Sequence, residues 1–391
     1  MLGIPRGDAL GSLPLLVSMY EIPIGQPRVG GKGEKAKIQP ARYNTSQERP
    51  VKGSRPMVIF PWKRLPTPPA WDWIQVEVTT RCNALCSYCP RTVYGKSWPE
   101  RDLPLEIFRR LLPDLPRARH VHLQGWGEPL LHPEFFQMAR LARKAGCQVG
   151  TTTNGTLLDQ ELARELVATG IDVVAFSLAG TGPKNDALRR GAPLGRVMAG
   201  ILSLLQARSQ AGSRVPEIHI AYMLLGSALE ELVSLPHILR GLPVGQVVVS
   251  TLDCVLDASL EREVVGESTP ELLSCLDEVG KRLAAQGTLL HHHLGGKGGS
   301  SGPCTENVLR AMVVGADGEV TPCVYTNLDV PRARQFRAGG EKPLERLSFG
   351  NLAQRSLRSI WEDQAYQAFR HSFHRGPLFA QCQSCPKLYQ T

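Results

Sequence analysis

No segment of this 391-residue chain is long and apolar enough to cross a membrane. The early apolar stretch Leu10–Met19 is broken by Gly11, Ser12 and Pro14, and no small-residue cleavage site clearly follows it. It is a poor secretory signal. The body of the chain also lacks an excess of charge. The formal charge is +9, but residues 1–70 hold eleven Lys/Arg against four Asp/Glu, which leaves +2 for the remaining 321 residues. A near-neutral body offers little to a nucleic acid, so neither nucleic acid nor membrane is expected among the partners. Residues 1–70 lack periodic apolar positions and include Gly30-Gly31-Lys32-Gly33 and Pro66-Thr67-Pro68-Pro69. That composition predicts a basic, disordered leader. A disulfide framework is missing too: six of the ten cysteines stand in or near short groupings, which suits metal binding in a reducing cytoplasm.

What is present first is a repeated strand–helix pattern. A chain of this length buries a large core and is expected to hold two domains. Strands rich in Val, Ile and Thr are expected over Trp73–Val78, His120–Gln124, Gln148–Thr152, Asp172–Leu178, Glu217–Leu224 and Gln246–Thr251. Helices are expected over Leu105–Leu112, Pro133–Ala145, Gln160–Thr169 and Val197–Ser209. Pro133 suits a first turn, Gly146 a stop, and Asp159 and Ser227 N-caps. Six repeats imply a parallel sheet and an α/β core over 71–290. A doubly wound sheet and an open barrel both fit that count. The Gly-rich run at 295–302 marks a linker over 291–303. His291-His292-His293 within it reads as a polar loop, since three adjacent histidines cannot face one ion. Residues 304–391 then form a smaller domain. It carries strands over Val308–Val314 and Glu319–Val324 about an Asp317-Gly318 turn, and a helix near Leu357–His371.

The most informative residues are Cys82, Cys86 and Cys89, spaced C-x3-C-x2-C with Tyr88 before the third. Three thiolates can hold three irons of a four-iron cluster and leave the fourth open, whereas a closed cluster takes four. A zinc site is the alternative for such spacing. The run resembles the cluster motif of the radical S-adenosylmethionine (radical SAM) enzymes. That resemblance implies a partial (β/α)6 barrel, a catalytic [4Fe-4S] cluster and S-adenosyl-L-methionine bound at its open iron. It also implies reductive cleavage to a 5′-deoxyadenosyl radical that takes hydrogen from a substrate.

Other notable residues fall at strand ends, where (β/α) barrels collect their chemistry. Gly125-Trp126-Gly127-Glu128-Pro129 follows the second strand and resembles the family's Gly-Gly-Glu-Pro motif, with Trp126 in place of the second glycine. The resemblance assigns Gly125, Gly127, Glu128 and Pro129 to the cofactor's amino group. Thr153, Asn154 and Ser177 end the third and fourth strands and are assigned to its carboxylate and ribose. The Asp common after that Ser in the family is missing here, where Ala179 and Gly180 stand instead. Arg189 is matched to a carboxylate-binding arginine, with Arg190 its rival, and Tyr88 either packs on the adenine or covers the cluster.

Cys304, Cys323, Cys382 and Cys385 form a second set, with Gly318 between the first two and Phe349-Gly350-Asn351-Leu352 before the last pair. This set resembles the SPASM domain, a C-terminal cluster-binding extension. Four cysteines rather than its usual seven imply one auxiliary [4Fe-4S] cluster. A zinc ribbon is the alternative. The resemblance implies a flavodoxin or ferredoxin as electron donor and modification of a peptide or protein. The alternatives are a sugar or other small molecule as substrate, or, in a different class, a non-catalytic metal-binding scaffold. Cys147, Cys254 and Cys275 lack partner spacing and read as buried small hydrophobes.

Overall fold

The computed structural model describes residues 70–265, 269–294, 304–337, 339–383 and 385–388. The expected leader and the Gly-rich run at 295–302 lie outside the described residues. Six parallel strands form the centre: β1 (Trp71–Val76), β2 (Ala118–Leu123), β3 (Gln148–Thr153), β4 (Val173–Leu178), β5 (Glu217–Leu224) and β6 (Val244–Thr251). They neighbour one another in chain order. This order decides between the two architectures that the strand count allows. Each new strand joins the same edge, so every crossover runs the same way and the sheet curls into a partial barrel, whereas a doubly wound sheet would reverse its order.

Two additions extend the sheet. Beyond β6, β7 (Leu289–His292) adds a seventh parallel strand, with His291 opposite Val248 and His292 opposite Val249. The histidine run expected to be a loop is therefore mostly strand: one-residue alternation sends its side chains to opposite faces, which satisfies the backbone without a shared ion. On the other edge, β8 (Ala311–Val314) pairs in parallel with β1, and β9 (Val320–Thr321) pairs back on β8 through a turn at Gly318, whose φ is +83°. Among the described residues β7 and β9 do not meet, so the barrel stays open.

The core lies between strands and helices. Val121 and Leu123 of β2, Phe176 of β4 and Ile218 and Ile220 of β5 are fully buried in one cluster with Met138, Leu166, Ile201 and Val279 of the crossover helices. Helix Gln160–Thr169 starts where expected, its Asp159 carboxylate accepting from the Glu161 and Leu162 amides at 2.9 Å, and it stops at Gly170 with φ +74°. Three expectations fail locally. Pro133 precedes the helix Phe135–Lys144, whose N-cap is Glu134. Ser227 caps nothing, because its amide and hydroxyl both donate to the buried Glu263. The helix expected near 357–371 breaks into Leu357–Trp361 and Gln364–Ser372, since Asp363 takes the Ala365 amide and starts a new helix. Among the described residues no helix is long and apolar enough to cross a membrane.

Candidate active site

The C-terminal ends of β1–β6 surround one cavity, which contains all three thiols of the Cys82–Cys89 run in its wall. The base of this run is fixed by Arg81, which donates from Nε and Nη2 to the Asp102 carboxylate at 3.0 and 2.6 Å. Cys86 lies in a two-residue ribbon opposite Arg189. Cys89 precedes the short helix Pro90–Tyr94 and accepts the Thr92 and Val93 amides on its carbonyl. Burial raises the Cys82 thiol, with Glu128 and Cys86 adding to it. Burial and then Cys86 push Cys89 up to about 12. Grouped thiols that resist ionisation fit a site where a bound metal supplies the compensating charge. Among the described residues no three Cys, His, Asp or Glu side chains form a group that could hold a single metal ion. A triad of thiols around a loop suits the wider span of a four-iron cluster.

The glycines beside this loop are forced by packing. A Cβ at Gly127 would stand 2.6 Å from the Arg81 carbonyl oxygen and nearer still to that of Thr79. One at Gly125 would fall on the Glu77 side chain. The Glu128 amide donates to the Arg81 carbonyl at 2.8 Å, which binds the two loops together. The Glu128 carboxylate is 2 % exposed. It accepts from the Asn154 amide at 2.7 Å, the Thr153 hydroxyl at 2.8 Å and the Leu130 amide at 3.3 Å. Burial raises its pKa against those donors. Oε1 takes both the Thr153 hydroxyl and the Leu130 amide and is committed to the fold, whereas Oε2 takes only the Asn154 amide and keeps a second lone pair for a ligand. Pro129 starts a 3-10 turn, Pro129–Leu131. Asn154 donates to Asn83 Oδ1 at 2.8 Å and reaches Cys82 Sγ at 3.9 Å. Ser177 lines the cavity.

The two arginines separate cleanly. Arg190 is exposed, whereas Arg189 is 4 % exposed and lines the cavity. Arg189 Nη1 donates to the Tyr88 hydroxyl at 3.4 Å, and its Nε has no partner among the described residues. Burial opposes the charge on Arg189, but Tyr88 and the Cys86 and Cys82 thiols outweigh it and hold its pKa up. A buried guanidinium with a spare N–H is suited to a ligand carboxylate.

Sequence reasoning missed the opposite wall. Thr251, Asp253 and Cys254 at the end of β6 line the cavity with Trp126 and Tyr325, whose rings meet edge-on at 6.3 Å. Asp253 is bonded to Lys387 Nζ at 2.8 Å and to the Thr251 hydroxyl at 3.0 Å. The available signal was position: these residues end a strand just as Ser177 does. His122 and His219 also face this cavity. Burial lowers His122 to about 3, so it stays neutral, with Nε2 at 2.6 Å from Gln124 and Nδ1 unpartnered among the described residues.

Burial raises the Cys304, Cys323 and Cys382 thiols, and also Cys254; Glu306 adds to this at Cys304 and Cys323, and Cys385 adds to it at all four. An antiparallel bridge between Cys304 and Leu388 draws the chain's two cysteine segments together.

The radical SAM superfamily profile matches residues 76–232, and that of the SPASM iron–sulfur cluster-binding domain matches residues 304–386. The chain is a radical SAM enzyme with a C-terminal SPASM domain. Such domains bring a catalytic [4Fe-4S] cluster, auxiliary iron–sulfur binding and S-adenosylmethionine binding. A tungsten-containing aldehyde ferredoxin oxidoreductase cofactor-modifying protein of Pyrococcus furiosus is 29 % identical over 326 residues, covering 80 % of this chain and 86 % of that one. PqqA peptide cyclase of Ruegeria pomeroyi is 32 % identical over 121 residues, 30 % of this chain and 31 % of the other. In fold, the radical SAM enzyme resembles SuiB of Streptococcus suis bound to S-adenosylmethionine, with a TM-score of 0.60, 15 % identity, and 82 % and 72 % of the two chains covered.

Proposed function

We propose that this radical SAM enzyme abstracts hydrogen from a small, polar, cofactor-like molecule held between the thiol wall and the Asp253–Cys254 wall of the cavity. The observation that carries the reading is the Asp253–Lys387 ion pair, because a charged pair in a buried wall is costly to desolvate and is suited to orienting a polar substrate. A relative that matches 80 % of the chain is named for modifying a cofactor, which supports the same substrate class. Cys82, Cys86 and Cys89 hold the open cluster. Arg189 takes the carboxylate of S-adenosylmethionine, the Gly125–Pro129 carbonyls take its amino group, and Thr153, Asn154 and Ser177 border its remaining polar groups. When bound and reduced, this cofactor supplies a 5′-deoxyadenosyl radical, and the walls exclude water and oxidants from it. Cys304, Cys323, Cys382 and Cys385 close one auxiliary four-iron cluster. The electron donor is an acidic flavodoxin or ferredoxin.

Peptide modification is the second reading, favoured by the similarity to a peptide cyclase over 121 residues. The test starts with anaerobic reconstitution. About eight irons per chain are expected, with 5′-deoxyadenosine formed on adding dithionite and S-adenosylmethionine. Zinc without cleavage would sink the assignment of both cysteine sets. The low-molecular-weight fraction of a cell extract should then stimulate 5′-deoxyadenosine formation. Stimulation that survives protease digestion of the fraction supports a small molecule, and stimulation destroyed by protease supports a peptide.

A further inference from the structure

The turn that follows Cys323 grips the Gly125–Pro129 loop at two points. Cys323 opens the 3-10 turn Val324–Thr326, its amide donating to the Thr326 hydroxyl at 3.3 Å and its carbonyl accepting that hydroxyl at 2.9 Å. The first grip is Tyr325 within the turn, whose ring packs edge-on against Trp126 at 6.3 Å. The second runs through Asn327, the residue after the turn. Asn327 Nδ2 donates to Glu77 Oε2 at 3.1 Å, and Glu77 Oε1 accepts the Trp126 amide at 2.9 Å. Asn327 is itself held by Arg346, which donates to its Oδ1 at 2.6 Å and to Asp317 at 2.9 Å. Glu77 is buried, and its side chain fills the space that Gly125 leaves. A move at Cys323 therefore reaches the Trp126 backbone through the Thr326 hydroxyl, the Thr326–Asn327 peptide link, and the bonded Asn327 and Glu77 side chains.

We propose that the C-terminal iron–sulfur site controls S-adenosylmethionine binding through Asn327 and Glu77, which act as positioning residues for the Gly125–Pro129 loop. The inference rests on the assignment of both cysteine sets under the proposed function. Occupation of the C-terminal site fixes Cys323, and with it the turn. The turn then presents Tyr325 and Asn327 at the places that hold the loop against the cofactor. An unfilled C-terminal site leaves the loop free to sample other positions, and the cofactor must order it on binding.

The test measures S-adenosylmethionine affinity by equilibrium dialysis on anaerobically reconstituted, unreduced full-length protein, with iron counted for each variant. Cys385→Ala should keep about four irons and bind the cofactor about tenfold more weakly, within the usual range of coupling between sites. Asn327→Ala should bind about as weakly with all its iron, and the double variant should be no weaker than either single one. Glu77→Gln, which keeps one acceptor oxygen, should lose less than Glu77→Ala. Wild-type affinity in Cys385→Ala overturns the proposal, and so do losses that multiply in the double variant. If Cys385→Ala does not fold, Asn327→Ala decides alone: full iron with unchanged affinity overturns it. A wild type that binds no S-adenosylmethionine overturns the proposed function as well, so the two failures are distinguishable.

Discussion

Gly127→Ala tests whether the fit of the Gly125–Pro129 loop against the cysteine loop is required. The new Cβ would stand 2.6 Å from the Arg81 carbonyl oxygen and 2.9 Å from the Thr79 carbonyl carbon, where ordinary contact begins at 3.4 Å. These are backbone atoms, so no side-chain rotation relieves the clash. Because the Thr79 carbonyl oxygen is nearer still, the loop must retreat by about 1 Å, which strains the 2.8 Å bond from the Glu128 amide to the Arg81 carbonyl. Overpacking of this kind costs about 1–3 kcal/mol. Thermal unfolding should fall by roughly 2–12 °C, at about 2–4 °C per kcal/mol. A displacement near 1 Å in a cofactor site also costs about a hundredfold in rate, so 5′-deoxyadenosine formation with dithionite should fall tenfold or more, roughly. Gly195→Ala is the control, since nothing lies within 4 Å of its Cβ and it sits in the helix Leu194–Gln210. That variant should match or slightly exceed wild-type stability. A Gly127→Ala protein with wild-type melting and wild-type cleavage would refute the packing argument.

Four other outcomes are expected. Arg189→Ala should raise the KM for S-adenosylmethionine about tenfold or more, whereas Arg190→Ala should leave it within about twofold; equal effects would contradict the burial difference between them. Asp253→Ala should destabilise the protein by about 3–5 kcal/mol, because it strands a buried Lys387, and urea unfolding that shows under 1 kcal/mol, roughly, would contradict that. Burial raises the Glu77 carboxyl from 4.5 to about 7; the Trp126 and Ala316 amides oppose this, Asp317 adds to it and Arg346 opposes it. The folded state thus holds this proton more tightly than the unfolded chain, so stability present below pH 4.5 is lost as the pH rises to 7, by up to roughly 3 kcal/mol. Glu77→Gln should flatten that slope in urea titrations of the metal-free protein, and an unchanged slope would count against it. Glu128→Ala should cost about 1–3 kcal/mol by stranding the Asn154 amide and Thr153 hydroxyl, read from its melting curve.

The sequence was most legible where chemistry imposes spacing. Cys82, Cys86 and Cys89, spaced as the resemblance reads them, line the wall of one cavity, and Asp159 caps a helix where local rules place its start. The six central strands were visible because their outward faces are aliphatic. Strand order was not, since it depends on which edge each crossover reaches, which no local pattern encodes. Asp253 stands in no motif, and Cys254 reads from the sequence only as a buried small hydrophobe, so neither marks the cavity wall that both line. The importance of Asp253 comes from Lys387, which lies far away in the chain and near in space. The strand through His291 and His292 was misread because three identical polar residues carry no alternation. The rivalry of Arg189 and Arg190 required burial, which depends on the ribbon that pairs Arg189 with Cys86.

The pairing of β8 with β1 has a consequence for synthesis. Arg310, just before β8, is ion-paired with Asp72, 238 positions earlier in the chain. At about 5–20 residues per second, the ribosome adds β8 roughly 12–48 s after β1. During that interval the first strand of the barrel exposes a bare row of backbone donors and acceptors, the kind of edge that recruits foreign strands. A nascent chain of this protein therefore has most need of chaperone protection after its catalytic motifs are already made. A nonsense mutation between residues 294 and 310 would leave a product with every strand-end motif and a permanently adhesive edge.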